Sequence, residues 1–156
     1  MRVRELTNTD VGVALELARR IHAEGRFSRY PLNEGKLQGA IESLVADESG
    51  AYCCFLAESA NGTLAGMCYG VAREFFFADT VVADSLVFWV APEWRGSSAG
   101  PKLVLAFRRW AANRGAVEIN IGVASGARLG QTDRFMKRLG FRLTGGNYSL
   151  ALEPAG

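Results

Sequence analysis

Apolar positions along the chain repeat with two different periods, and the period changes wherever small or polar residues interrupt it. Val3-Arg4-Glu5-Leu6 alternates apolar and charged positions as a half-buried strand does. Thr7-Asn8-Thr9-Asp10 then offers hydroxyl and carboxylate caps, after which Val13, Leu17 and Ile21 recur at helical spacing. The segment RFSRYPLN (26–33) breaks that period and predicts a loop placed to act as a lid. Leu37, Ile41 and Leu44 share one face of a second predicted helix over 34–47.

From residue 51 the pattern turns strand-like. AYCCFLAE (51–58) and TLAGMCYGVAREFFF (63–77) flank an Asn61-Gly62 pair, a strong hairpin signal. TVVADSLVFWV (80–90) follows closely and should pair antiparallel with the strand before it. Its end, Leu86 to Ala91, is apolar on both faces, which predicts a place in the middle of the sheet. Leu103, Phe107, Trp110 and Ala111 form one helical stripe that leaves Arg108 and Arg109 off it. AVEINIGV (116–123) reads as a strand, GQTDRFMKRLG (130–140) as a short helix ended by Gly140, and FRLTGGNYSLAL (141–152) as strand, Gly-Gly turn and strand. The order β-α-α-β-β-β-α-β-α-β-β predicts an α/β (α+β) fold. Its mixed, mostly antiparallel sheet has about seven strands with about four helices, and a parallel pair where the 80–122 unit crosses over. A single domain over 1–156 is expected from the length and from the 49% hydrophobic content.

Charge narrows the function. The net charge of +2, with no basic tract, argues against nucleic acid as a partner. Residues 1–78 hold 8 Lys and Arg against 10 Asp and Glu, whereas 79–156 hold 10 against 6, so the second half is net +4 and the first net −2. That tilt favours a phosphate-bearing ligand near the second half. Cys53, Cys54 and Cys68 lack disulfide or metal-ligand spacing and read as buried thiols, so no metal is expected. No apolar run is long enough for a signal peptide core or a bilayer span, so no membrane partner and a cytoplasmic location are expected.

The chemistry concentrates at Val90 to Ala111, where a strand end meets a turn of small residues and a helix begins at once. Such a turn leaves backbone N–H groups unpaired at the positive end of the helix dipole, a place suited to phosphate. The Walker A pattern fails, because Gly96 is followed by Gly100, Pro101, Lys102 and Leu103; GxGxxG fails at Ser98. What remains is Arg95-Gly96-Ser97-Ser98-Ala99-Gly100, Arg-x-x-small-x-Gly, after a strand ending Val-Ala-Pro-Glu.

This segment resembles the signature of the GNAT superfamily of acyl-CoA-dependent N-acyltransferases, Arg/Gln-x-x-Gly-x-Gly/Ala. RFMKRLGF (134–141) is similar to the family's short helix with its Gly-Phe, and the order of elements matches throughout. The resemblance implies acetyl-CoA as co-substrate. Arg95, Gly96, Ser97, Ser98, Ala99 and Gly100 would wrap the pyrophosphate with backbone amides, Val90 would offer backbone groups to the pantetheine arm and the thioester carbonyl, and Lys102 would add favourable potential. It implies transfer of an acetyl group to the primary amine of a small-molecule or peptide acceptor by direct attack in a ternary complex. Three positions depart from the pattern. Ser98 replaces the central Gly, which an ordinary φ would tolerate. Met136 stands where many members carry a Tyr as general acid, and Leu129 where an Asn often touches the cofactor. A catalytically decayed CoA-binding module, acting as sensor or assembly component, is therefore the alternative.

A thiol of pKa about 8.5 leaves as thiolate without much help, whereas an amine near 10.4 must first lose a proton. Asp84, six residues before Val90, is the candidate acceptor of that proton, or else an Asp held by a backbone or arginine partner. Tyr148 is a candidate substitute acid or substrate contact, or a packing residue. His22, the single histidine, reads better as solvated. Glu74 and Asp79 flank Phe75-Phe76-Phe77 at a hairpin turn and are cation-binding candidates or plain turn charges. The three rings cannot share one buried strand face, so at least one belongs in a pocket, under a loop or in a subunit interface such as that of a homodimer.

Overall fold

The computed structural model describes residues 1–123, 126 and 128–152. Elements follow in the order β1 (Arg2–Glu5), α1 (Val11–Glu24), α2 (Glu34–Ala46), β2 (Tyr52–Glu58), β3 (Leu64–Glu74), β4 (Val81–Val90), α3 (Ala99–Asn113), β5 (Glu118–Ile121) and α4 (Leu129–Arg138), with short 3-10 turns before α1, before α2 and before α3. The strands lie in sequence order in one sheet; β1 to β4 pair antiparallel and β4 pairs parallel with β5. The α/β character, the helices and the parallel crossover follow the sequence reading.

Helix α3 packs on one face of the sheet. Its stripe of Leu103, Phe107, Trp110 and Ala111 is buried as the periodicity predicts, against Phe55, Ala57, Ala65 and Ala83 from the strands. Each such large side chain removed from water contributes about 1.5–3 kcal/mol. Helix α1 covers the other face through Leu17, with Leu56 and Trp89 beneath it. Its inward stripe contains Ala14 rather than Val13, which is 46% exposed, because the helix starts at Val11 and is rotated accordingly. Its entry is held by Asp10, which accepts from Arg4 Nη1 and Nη2 at 2.8 and 2.9 Å and from the Thr7 N–H and hydroxyl at 2.8 Å each. The Arg4 hydrogen bonds outweigh the opposing effect of burial and hold the Asp10 carboxyl well below the usual carboxylate range.

Three sequence expectations are corrected. Five strands are present among the described residues, not seven, since residues 141–152 form neither of the two predicted strands. Alternation favours a strand only where a neighbour's edge accepts it; this segment makes no ladder with β5, and Leu143, Leu150 and Leu152 stand 78–92% exposed. The three phenylalanines are not part of β3, which ends at Glu74. They form the β3–β4 turn, their rings in tilted and edge-to-face contact at 4.6–5.6 Å, and all three are exposed. Finally, Leu86–Val90 is not central: the β4–β5 ladder ends at Ser85–Ile121, and beyond it β4 is paired on the β3 side alone. Among the described residues no helix is long and apolar enough to cross a membrane.

Candidate active site

The end of the β4–β5 ladder creates the site. Between Tyr69–Val87 and Gly70–Ser85 the β3–β4 register slips, leaving Leu86 as an extra residue in β4. Gly70 lies beside this bulge because nothing larger fits: a Cβ there would meet Phe107 Cε2 at 2.4 Å. Past the bulge the Ala91 N–H bonds the Ala65 carbonyl, so by antiparallel alternation Phe88 and Val90 turn their N–H and C=O away from β3, toward the side that β5 has left. The gap opens into a cleft of about 970 Å³ between α1, α2, β4 and α4, at the upper end of the range for small-ligand sites.

The turn after β4 borders this cleft. Gly96 adopts φ +85°, a left-handed conformation that favours glycine. Ser98 has φ −76° and ψ 0°, an ordinary backbone that any residue adopts, so the missing central glycine costs nothing here. The Arg95, Ser97 and Ala99 N–H groups bond Pro92 O, Trp94 O and Ser97 Oγ, whereas those of Gly96, Ser98 and Gly100 have no partner among the described residues. Gly100 permits close approach of α4, since a Cβ there would lie 3.0 Å from the Phe135 ring, which also stacks on Phe88. Lys102 is turned elsewhere: its Nζ donates to the Met1 carbonyl at 2.6 Å.

The Arg95 side chain plays a part that its place in the motif did not disclose. Its Nε donates to the Val90 carbonyl at 3.0 Å and its Nη2 to Glu24 Oε1 at 2.5 Å, while Trp89 Nε1 donates to Glu24 Oε2 at 2.7 Å. Burial pushes the Glu24 carboxyl up, but the hydrogen bonds from Arg95 and Trp89 prevail and leave it below its ordinary value. One turn earlier Arg20 binds both oxygens of Glu93 at 2.9 Å and lies over the Trp89 ring. Helix α1 is thereby bolted to the end of β4 and to the turn. Glu24 had no signal in the sequence, because its partners lie 65 and 71 residues away.

The remaining candidates separate. Val90, Arg95, Gly96, Ser97 and Gly100 line the cleft together with His22, whose Nε2 lies 2.8 Å from the Tyr30 carbonyl. The loop after α1 contributes Phe27 and Leu32 to the wall. Asp84 sits beside Asn120 of β5, accepting from its Nδ2 at 3.1 Å and from Arg73 Nη2 at 3.4 Å; it does not line the cleft, although Leu86, two residues on, does. Tyr148 is wholly exposed, and Glu74 and Asp79 lie at the far β3–β4 turn. Met136 is buried and faces away from the cleft, which α4 lines with Phe135 instead. Burial pushes the Cys53 and Cys54 thiols up to about 12, so neither is a ready nucleophile.

Comparison with known proteins agrees with this geometry. No curated protein matches the chain. Among solved structures it is similar to AAC(6')-Iy in complex with a bisubstrate analogue, CoA-S-monomethyl-acetylneamine, at 18% identity over 97% of each chain with a TM-score of 0.73. It is similar to the aminoglycoside antibiotic 6'-N-acetyltransferase AAC(6')-IG from Acinetobacter haemolyticus, at 17% identity over 98% and 99% of the two chains with a TM-score of 0.74. An acetyltransferase of Trypanosoma brucei matches at 18% identity over 97% and 99%, with a TM-score of 0.70. These likenesses establish the shared fold. A model of the acetyltransferase (GNAT) family matches residues 15–141, most of the chain, including β4, β5 and the turn at the start of α3, and the protein therefore belongs to that family of acyltransferases.

Proposed function

We propose that the protein transfers an acetyl group from acetyl-CoA to the primary amine of a small-molecule or peptide acceptor, both bound in the cleft where β4 and β5 part. The observation that carries this reading is the set of three amides, Gly96, Ser98 and Gly100, without partners among the described residues, at the start of α3 beside the open edge of β4. The residues present fit a pyrophosphate-bearing ligand with an extended arm. Gly96, Ser98 and Gly100 N–H groups hold the phosphates, together with the dipole of a 15-residue helix. Arg128, Arg134 and Arg138 along the same wall add positive potential, and Lys102 contributes through its charge alone.

Acetyl-CoA, when bound, supplies a thioester whose carbon–sulfur bond is exchanged for a carbon–nitrogen bond, the electron pair leaving on sulfur and one amine proton passing through water to Asp84. The Phe88 and Val90 backbone groups facing the gap orient the arm in place of a β5 partner, and the Val90 N–H is the donor available to a developing oxyanion. Arg95 holds the Val90 carbonyl and so fixes the plane of that peptide group. Asp84 accepts the amine proton through water, from its position one bulge behind the cleft. With Met136 turned into the core, the thiolate leaves without a side-chain acid from that position; a catalytically decayed module would bind CoA in the same way and release no thiol.

Isothermal titration with acetyl-CoA of the native chain and of Ser98→Asp tests this reading. A carboxylate about 5 Å from the phosphates costs roughly 3 kcal/mol per phosphate charge at an effective dielectric constant near 20, so binding should weaken at least about 100-fold. Equal affinity for the two proteins refutes the cradle. Release of free thiol in the presence of an amine separates the enzyme from the decayed module.

A further inference from the structure

The acceptor half of the cleft has a chemistry of its own. Its wall beneath α1 and α2 includes Ile21, Leu37, Ile41, Leu86 and Trp89, and its polar side chains are His22, held at the Tyr30 carbonyl, and Tyr69, whose hydroxyl has no hydrogen-bond partner among the described residues. Burial pushes the Tyr69 phenol up, so it stays neutral. Among the described residues lining the cleft Glu24 is the one carboxylate, and each of its oxygens is already taken, by Arg95 and by Trp89. Against it stand four guanidinium groups, Arg95, Arg128, Arg134 and Arg138. Glu74 and Asp79 belong to the distant β3–β4 turn, and Asp84 is engaged by Arg73 and Asn120.

A ligand with several ammonium groups needs several carboxylates to replace its hydration, and here it would meet an apolar wall with no free carboxylate among the described residues. A single amine on an apolar body loses far less. Its body buries against the aliphatic wall and the Trp89 ring, and its nitrogen, entering neutral, offers an N–H to the Tyr69 oxygen. We infer that the acceptor taken by this cleft is a monoamine whose amine is carried on an apolar body, aromatic or branched aliphatic, and that polyamines are excluded from it. The inference rests on the acetyltransferase reading above.

The test measures thiol release from acetyl-CoA with phenethylamine and isoamylamine on one side and kanamycin and spermidine on the other, beside titration of acetyl-CoA binding on the same preparation. The expected result is a kcat/KM for the two apolar monoamines at least about 10-fold above that for either polycation, the scale by which apolar pockets discriminate. A Leu86→Asp variant places a carboxylate at a half-exposed position of the wall. It should lower phenethylamine kcat/KM by about 10-fold and raise that of kanamycin. Preferred turnover of a polycation, or turnover of none of the four amines while acetyl-CoA binds normally, overturns the inference and leaves the cofactor reading intact. Failure of acetyl-CoA to bind overturns both.

Discussion

Replacing Glu24 by Gln tests whether α1 governs the cofactor turn. The carboxylate receives two donors, the Trp89 indole at 2.7 Å and the Arg95 guanidinium at 2.5 Å, and both members of the ion pair keep about a quarter of their side-chain surface exposed. An amide can accept from one of them only, and its NH2 must then face the other donor. A hydrogen bond to a charged group contributes about 1.5–3 kcal/mol, and the partial exposure places this one near the lower end. If Arg95 is released it no longer holds the Val90 carbonyl, so the loss should appear at the cofactor site. We expect the Kd for acetyl-CoA to rise by about 10- to 30-fold, corresponding to roughly 1.5–2 kcal/mol, with Glu24→Ala at least as damaging. Titration calorimetry reads the affinity and a thermal melt controls for global loss of fold. Because the folded Glu24 carboxyl lies below its ordinary value, its contribution is fully present above that value and is lost as pH falls through the folded one. The Glu24 contribution to affinity should therefore stay constant from neutrality down to about pH 5, above the ordinary Glu range near 4.3. A Glu24→Gln protein with native acetyl-CoA affinity refutes the reasoning.

Asp10→Ala leaves Arg4 with Glu58 as its remaining acidic partner and removes four hydrogen bonds at the start of α1. It should cost about 2–3 kcal/mol, below the roughly 3–5 kcal/mol of a fully buried pair because Arg4 is partly exposed, and lower Tm by roughly 4–12 °C. The depressed Asp10 carboxyl also makes native stability fall as pH drops below the ordinary Asp range, a slope the variant should lose in acid denaturation curves. Asp84→Asn should reduce kcat by about 100-fold with little change in KM for acetyl-CoA, whereas Tyr148→Phe, altered at a fully exposed site, should match the native rate; steady-state assays of thiol release check both.

Local order was legible in the chain because hydrophobic period, turn residues and caps act over a few residues. The 3.6-residue stripe of α3, the hairpin at Asn61-Gly62 and the Arg95–Gly100 turn all needed only near neighbours to be read, and each sits where the pattern placed it. The α/β class followed from their order. The tertiary structure decided what depends on partners remote in sequence. Whether the alternation in 141–152 becomes a strand depends on an edge to accept it, and none does so. Whether the apolar end of β4 is interior or wall depends on where β5 stops, and the ladder ends at Ser85 because the bulge at Leu86 shifts the strand. Glu24 is one helical carboxylate among others until folding brings Trp89 and Arg95 against it, and Met136 occupies a familiar place in a motif until the rotation of α4 turns it inward and presents Phe135. Propensity is a property of short segments, whereas a site is a set of distances between them, and those distances arise only when the sheet and helices pack.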